Sequence, residues 1–322
     1  MDVLTDVLNT MHLQSYIKYC MQLNAPWGIK IPSFDDAAIF YVVTRGSCYL
    51  EADRLESPVS LVGGDLVMLP HGNAHVLRDQ LESKIVPIED LCARNRGCRA
   101  FHHGGSGSLT AMVAGRFIFE DRASKSFFSA LPPLIHIPGE HGQMVPWLDT
   151  TLKWMAAETN SNEPGAQIME SRLTDMLFIQ ILRAHIAECS REGRYNGKAG
   201  WLRAMADPSI GKAFEAIHDQ PHHPWTVAEL ASKVNMSRTA FSVRFSQLAG
   251  LPPLTYVAKW RMLKASDFLR RGESTISEIA AAVGYESEAS FSKAFKREIG
   301  VAPGTYRKVG IGQGFNNQFS PF

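Results

Sequence analysis

One pattern occurs twice in this 322-residue chain, and it constrains the fold more than any other feature. The first copy places Thr226, Glu229, Leu230, Ala231, Val234, Phe241, Phe245, Gly250, Pro253 and Tyr256 in order. The second repeats it as Thr275, Glu278, Ile279, Ala280, Val283, Phe291, Phe295, Gly300, Pro303 and Tyr306. The offset is 49 residues as far as Val234 and Val283 and 50 from Phe241 and Phe291 onward, so the second copy has one extra residue in its turn. Each copy predicts two short helices. Thr226 with Glu229, and Thr275 with Glu278, have the spacing of a capping box, which satisfies the free backbone N–H groups of a first turn. Asn235-Met236 and Gly284-Tyr285 fall where a left-handed residue ends a helix. Ser237 and Ser287 then open the second helices, and Gly250 and Gly300 close them ahead of prolines.

A short helix, a tight turn and a second helix make a helix-turn-helix, whose second helix lies in a DNA major groove. A repeated hairpin with a packing role only is the plainer alternative. Met236-Ser237-Arg238, Ala280-Ala281-Ala282-Val283-Gly284-Tyr285 and Pro303-Gly304-Thr305-Tyr306-Arg307, with the paired phenylalanines, resemble the AraC/XylS transcription-regulator signature over about residues 203 to 308. With Phe241, Phe245 and Leu248 on one face, Thr239, Ser242, Val243, Ser246 and Gln247 must point outward. The second helix buries Phe291, Phe295 and Ile299 and leaves Glu288, Ala289, Ser292, Lys293 and Lys296 outside. The resemblance implies base contacts at Thr239, Ser242, Val243, Glu288, Ala289, Ser292 and Lys293. Gln247 and Lys296 lie further along, towards phosphates, and Arg238 and Arg244 either reach phosphates or shield the core with their stems. Val243 departs from the family, where arginine or glutamine is commoner; a valine can touch a thymine methyl but cannot read guanine.

Charge is distributed to suit this. From residue 201 onward there are 15 Lys and Arg against 10 Asp and Glu, a net +5, while the first 200 residues carry −4. A basic C-terminal part beside an acidic N-terminal one fits a DNA-binding module tethered to one that stays off DNA. No apolar run reaches membrane-spanning length, and Met1-Asp2-Val3-Leu4-Thr5-Asp6 lacks the basic start of a secretory signal, so a cytoplasmic protein is expected. The five cysteines, Cys20, Cys48, Cys92, Cys98 and Cys189, form no CxxC pair and read as reduced thiols.

The N-terminal half has another texture. Residues 1 to 14 predict a short amphipathic helix that covers the next domain, with Val3, Leu4, Val7, Leu8 and Met11 on one face. Strands are then expected at 38–44, 47–51, 60–62, 65–69 and 109–119, separated by turn residues, as in a sandwich or barrel. Gly64 to His75 matches G-x5-P-x-G-x2-H and resembles the second motif of the cupins. The segment before Gly46 lacks the histidines and glutamate of the first motif, so His75 stands without a metal-ligand set, and no metal or cofactor is expected. Arg94, Arg96 and Arg99 beside Gly104-Gly105-Ser106-Gly107 suit an anion or, equally, a solvated loop. Tyr41, Tyr49 and His75 are the alternative effector-site candidates inside the barrel.

The reading is therefore an α+β chain of two domains. Residues 1–190 form a cupin-like β-barrel with flanking helices that senses an effector and dimerises, 191–202 a linker, 203–310 an all-α double helix-turn-helix domain, and 311–322 a mobile tail. By resemblance the protein is a non-enzymatic DNA-binding regulator, an activator with double-stranded DNA, RNA polymerase, a small effector and a second copy of itself as partners. An anionic effector such as a cyclic dinucleotide would suit the arginines. The alternatives are a redox-sensing regulator using Cys20, Cys92 and Cys98, and a cupin-type metal enzyme with an accessory DNA-binding module.

Overall fold

The computed structural model describes residues 2–11, 13–94, 100–119, 131–139, 145–159, 163–190 and 200–312, with Ser124 and Phe128. The chain divides into two compact units, which are not two consecutive segments. The strand-rich unit is Leu13–Ile118 with Pro133–His185; the helical unit is Met1–His12, Phe119–Pro132 and Ile186–Pro321.

The first helix, α1 (Val3–Thr10), has its N-terminus capped by the Asp2 carboxylate, which accepts from the Thr5 N–H at 2.9 Å. It belongs to the helical unit, contrary to the expectation that it covers the strands. Its amphipathic pattern foretells a buried face without saying what buries it.

The strand-rich unit has two sheets. The first runs β11 (Ile135–Ile137), β6 (Leu66–Leu69), β3 (Ala37–Arg45), β10 (Leu109–Phe119), β1 (Leu13–Asn24), β9 (Ala100–Gly104); the second runs β5 (Val59–Val62), β4 (Ser47–Ala52), β7 (His75–Arg78), β2 (Gly28–Ile31), β8 (Val86–Pro87). They face each other around a core that includes Leu23, Ile29, Leu50, Leu61, Val67, Leu77, Phe101 and Met112, without closing into one hydrogen-bonded ring. In β3 the run Ala37 to Val43 is buried throughout, as a central strand covered on both sides must be. Three helices accompany the sheets: α2 (Ile88–Arg94), α3 (Pro146–Thr159) and α4 (Ala166–Ser190). Helix α4 covers the larger sheet, with Phe178 on Phe117 at 4.7 Å between ring centroids. The cupin-like turn forms as its residues foretell: β6 stops before Pro70, and Gly72 takes φ +58°, where a Cβ would lie 2.2 Å from the Phe34 carbonyl oxygen.

In the helical unit follow α5 (Trp201–Ala206), α6 (Ile210–Asp219), α7 (Val227–Lys233), α8 (Arg238–Ala249), α9 (Pro253–Arg271), α10 (Ile276–Ala282), α11 (Glu288–Ile299) and α12 (Pro303–Gly312). Phe241, Phe245, Tyr256, Trp260, Phe291 and Phe295 are all fully buried. Most of the expected tail lies outside the described residues, as does most of the expected linker.

Candidate functional site

Both repeats fold into the same device. In the first, the Thr226 hydroxyl accepts from the Glu229 N–H at 3.2 Å while Glu229 accepts from the Thr226 N–H at 2.9 Å. Thr275 and Glu278 repeat this at 3.2 and 2.7 Å. Those hydrogen bonds to the charged form hold both glutamates below the ordinary carboxylate pKa. The turns are left-handed at Asn235 (φ 54°) and Gly284 (φ 81°), and the second helices end on left-handed Gly250 and Gly300.

Helices α8 and α11 begin with Ser237 and Ser287 hydroxyls accepting from the Ala240 and Ser290 N–H groups, each at 3.2 Å. Arg238, Thr239, Val243 and Gln247 are exposed on α8, and Ser242 is half-buried. On α11 Glu288, Ala289, Lys293 and Lys296 are exposed and Ser292 is half-buried. Each helix thus presents its candidate residues away from its phenylalanines. Arg244 is engaged elsewhere: its guanidinium donates to Asp207 at 2.6 and 3.2 Å. Burial works against the Asp207 charge, but the Arg244 hydrogen bond and charge together with the Ile210 and Ser209 N–H groups outweigh it and hold its pKa below the ordinary value.

Arg261 on α9 was not singled out by the sequence. It donates to the carbonyls of Pro221 and His223, both at 2.8 Å, and to that of Gly284 at 3.3 Å, and it lies over the Tyr285 ring. It therefore ties the turn of the second head to the stretch before the first. Gly284 fits this spot because a Cβ would lie 2.5 Å from the His222 carbonyl oxygen.

Helix α1 is fastened to the same unit by a buried acid. Asp6 Oδ1 accepts from Lys264 Nζ at 2.7 Å and Oδ2 from His218 Nδ1 at 3.2 Å, while His218 Nε2 lies 2.8 Å from the Tyr256 hydroxyl. Burial holds His218 below its ordinary pKa, so the neutral ring donates to Asp6 and accepts from Tyr256. For Asp6 burial raises the pKa, yet the bonds from His218 and Lys264 outweigh it and keep the carboxylate charged.

In the strand-rich unit, His75 is fully used. Its Nδ1 donates to the Asn73 carbonyl at 2.7 Å and its Nε2 accepts from the Tyr41 hydroxyl at 2.7 Å. Burial pushes its pKa down to about 4, so the ring is neutral. Tyr41 lines a cavity between the sheets with Met21, Ile29, Ile39 and Leu77, whereas Tyr49 sits half-buried on β4 and does not line it. Among the arginines of the cluster, Arg94 is exposed at the end of α2; Arg96 and Arg99 lie outside the described residues, as does Cys98. Cys20 and Cys92 are half-buried and form no disulfide among the described residues, and the Cys92 Sγ lies 2.9 Å from the Tyr19 hydroxyl. Among the described residues no three His, Cys, Asp or Glu side chains gather as a metal site, and no helix is long and apolar enough to cross a membrane.

A family model described as Cupin matches residues 2–187, and one described as Helix-turn-helix domain matches residues 230–309. A putative AraC-like transcription regulator of Streptomyces lividans is 31% identical over 96% of this chain and 98% of its own length. The chain belongs to the AraC-like transcription regulators. The HTH-type transcriptional regulator AlkR of Acinetobacter baylyi is 30% identical, covering 96% of this chain and 99% of that relative. Among solved structures, the DNA-binding domain of AdpA in complex with a target DNA is 27% identical and covers 34% of this chain and all of that one, with a TM-score of 0.32. This AraC-like regulator thus joins a cupin domain to a DNA-binding helix-turn-helix domain.

Proposed function

We propose that this regulator reads two successive stretches of major groove in double-stranded DNA, one with each repeat. Thr239, Ser242 and Val243 of α8 and Glu288, Ala289, Ser292 and Lys293 of α11 face base edges, while Arg238, Gln247 and Lys296 reach the phosphate backbone. One observation carries the reading: two helices with identical caps turn their phenylalanines inward and a small or polar face outward. Helix α9, 19 residues long, is a spacer of about one DNA turn at 1.5 Å per residue.

The strand-rich unit receives a small effector and carries the dimer contact. Supporting the latter, Trp154, Ile168, Met169 and Met176 of α3 and α4 are 57%, 66%, 49% and 44% exposed, large apolar side chains of the kind that a second copy covers. In keeping with its family, the bound protein presents itself to RNA polymerase as an activator. The test is fluorescence anisotropy of the full chain on fragments of candidate promoters. Nanomolar-range binding that weakens steeply with salt is the expected result; salt-independent binding, or none to any fragment, removes the reading. Sedimentation of the parent and of Ile168→Glu checks the dimer.

A further inference from the structure

The cavity between the sheets is a narrow slot, partly open to solvent. Its walls are apolar: Met21 on β1, Ile29 and Ile31 on β2, Ile39 on β3, Leu77 on β7 and Ile88 on α2. Of the two tyrosines that line it, Tyr41 gives its hydroxyl to His75 and the Tyr19 hydroxyl lies 2.9 Å from the Cys92 Sγ. The more exposed part of the lining is different. Lys18 on β1 and Arg116 on β10, neighbouring strands of the larger sheet, both line the cavity and are both half-buried. Arg116 stacks on Phe34 with its guanidinium carbon 3.5 Å from the ring centroid, and Lys18 lies over Tyr19 at 5.6 Å. Among the described residues neither cation has an ion pair or a hydrogen bond, and Glu89, the one acid lining the cavity, pairs with neither. Burial, and then the nearby Arg116 charge, lower the Lys18 pKa, which is the mark of two like charges held together out of water.

Two half-buried cations without counter-charge are costly unless an anion joins them, and an apolar slot behind them rejects polar ligands because their groups would lose water without gaining partners. We propose that this cavity binds a slender amphiphile with one anionic head, seated between Lys18 and Arg116, and an apolar body lying against Met21, Ile29 and Leu77. The assignment rests on the reading that this unit receives the effector. It disfavours a dinucleotide, whose polar base edges would be stranded against those side chains.

Decanoate, decanol and decyltrimethylammonium, which share a chain and differ in head charge, are suitable probes below their micelle concentrations. Isothermal titration of the full-length protein is expected to show decanoate binding at least about tenfold more tightly than decanol, as fits charge-assisted bonds to the head, and the cation not binding. A Lys18→Gln/Arg116→Gln variant should lose that preference while keeping its affinity for decanol. On the parent itself, decanoate should slow alkylation of Cys92, which lines the same cavity, as read by peptide mass spectrometry. Failure of decanoate to bind the parent, a preference for decanol, or unchanged Cys92 labelling in its presence overturns the assignment. Operator affinity read alongside separates the two claims: if decanoate binds and DNA affinity does not move, the cavity assignment stands and the effector reading falls.

Discussion

The two reading heads share an interior and differ in their surfaces. Phe241, Phe245 and Tyr256 in the first correspond to Phe291, Phe295 and Tyr306 in the second, with closely similar ring contacts: 5.6 Å between the phenylalanines of each pair. Outside, the first head offers Thr239, Val243 and Gln247, and its Arg244 is spent on Asp207, whereas the second offers Lys293, Lys296 and Arg297. The interior sets the angle between helices and tolerates little change; the exterior is free to divide labour. The second head thus presents the more cationic face and the first the more neutral one.

The largest test concerns the shared interior. Phe245→Ala and Phe295→Ala should each cost about 3–5 kcal/mol in urea unfolding. Phe245 should be the worse of the two, because it also stacks on Phe214 at 5.1 Å, whereas its contact with Tyr256 is matched by that of Phe295 with Tyr306. Equal costs would show that Phe214 adds nothing to the first head. Next comes charge. Lys293→Ala with Lys296→Ala should weaken DNA binding by roughly tenfold or more, Lys293 by relaxing the sequence preference and Lys296 by flattening the salt dependence by about one counterion, while Arg238→Ala with Gln247→Ala should flatten it by about one and leave the preference unchanged. Relaxed preference in the second pair of substitutions and not in the first would exchange the roles of these residues.

A smaller effect should come from the seat of α1, which lies beside Tyr256 of the first repeat. Asp6→Asn should lower the stability of the helical unit by about 1–3 kcal/mol, since a charge-assisted pair is lost from a buried place. The pH dependence has a definite sign. Both His218 and Asp6 are held below their ordinary values of 6.5 and 3.8, so the unfolded chain takes up protons first. Stability is therefore complete above about pH 7 and falls as pH drops through 6 for the histidine, then again below about 4 for the acid; in Asp6→Asn the second fall should shrink but persist, because Asp207, Glu229 and Glu278 are also held below their ordinary values. Thermal melts across that range read both. The smallest effect belongs to Val243→Ala, which should reduce the preference for thymine at one operator position by about 1 kcal/mol, near the worth of one or two buried methylenes, in selection from randomised DNA.

The helical repeats were legible because their signals are local: capping boxes, turn residues and phenylalanine spacing all sit within a dozen residues of what they specify. The sheets were legible only in part. Strand β3 is an unbroken apolar run, but β1 carries Gln14, Lys18 and Gln22, and it pairs in parallel with β9 some eighty residues away. No local pattern announces such a partner. For the same reason the cavity went unseen, since Lys18 and Arg116 meet only across paired strands. Tyr41 and His75 are buried between the sheets and Tyr49 is only half-buried; that the first two satisfy each other depends on a register that only the fold sets. Asp6 on the otherwise apolar face of α1 was the one available hint that this helix seeks a basic partner.

That partner gives the helical unit an unusual pedigree in sequence. A fragment cut at the expected linker would carry His218 and Lys264 without the acid they surround, leaving a nonpolar seat open beside the rings of Tyr256 and Trp260. Exchanging the C-terminal halves of two relatives would likewise match one protein's seat with the other's helix. Residues 2–10 and 200–312 are thus expected to change together over time, as a single inherited piece written at both ends of the chain.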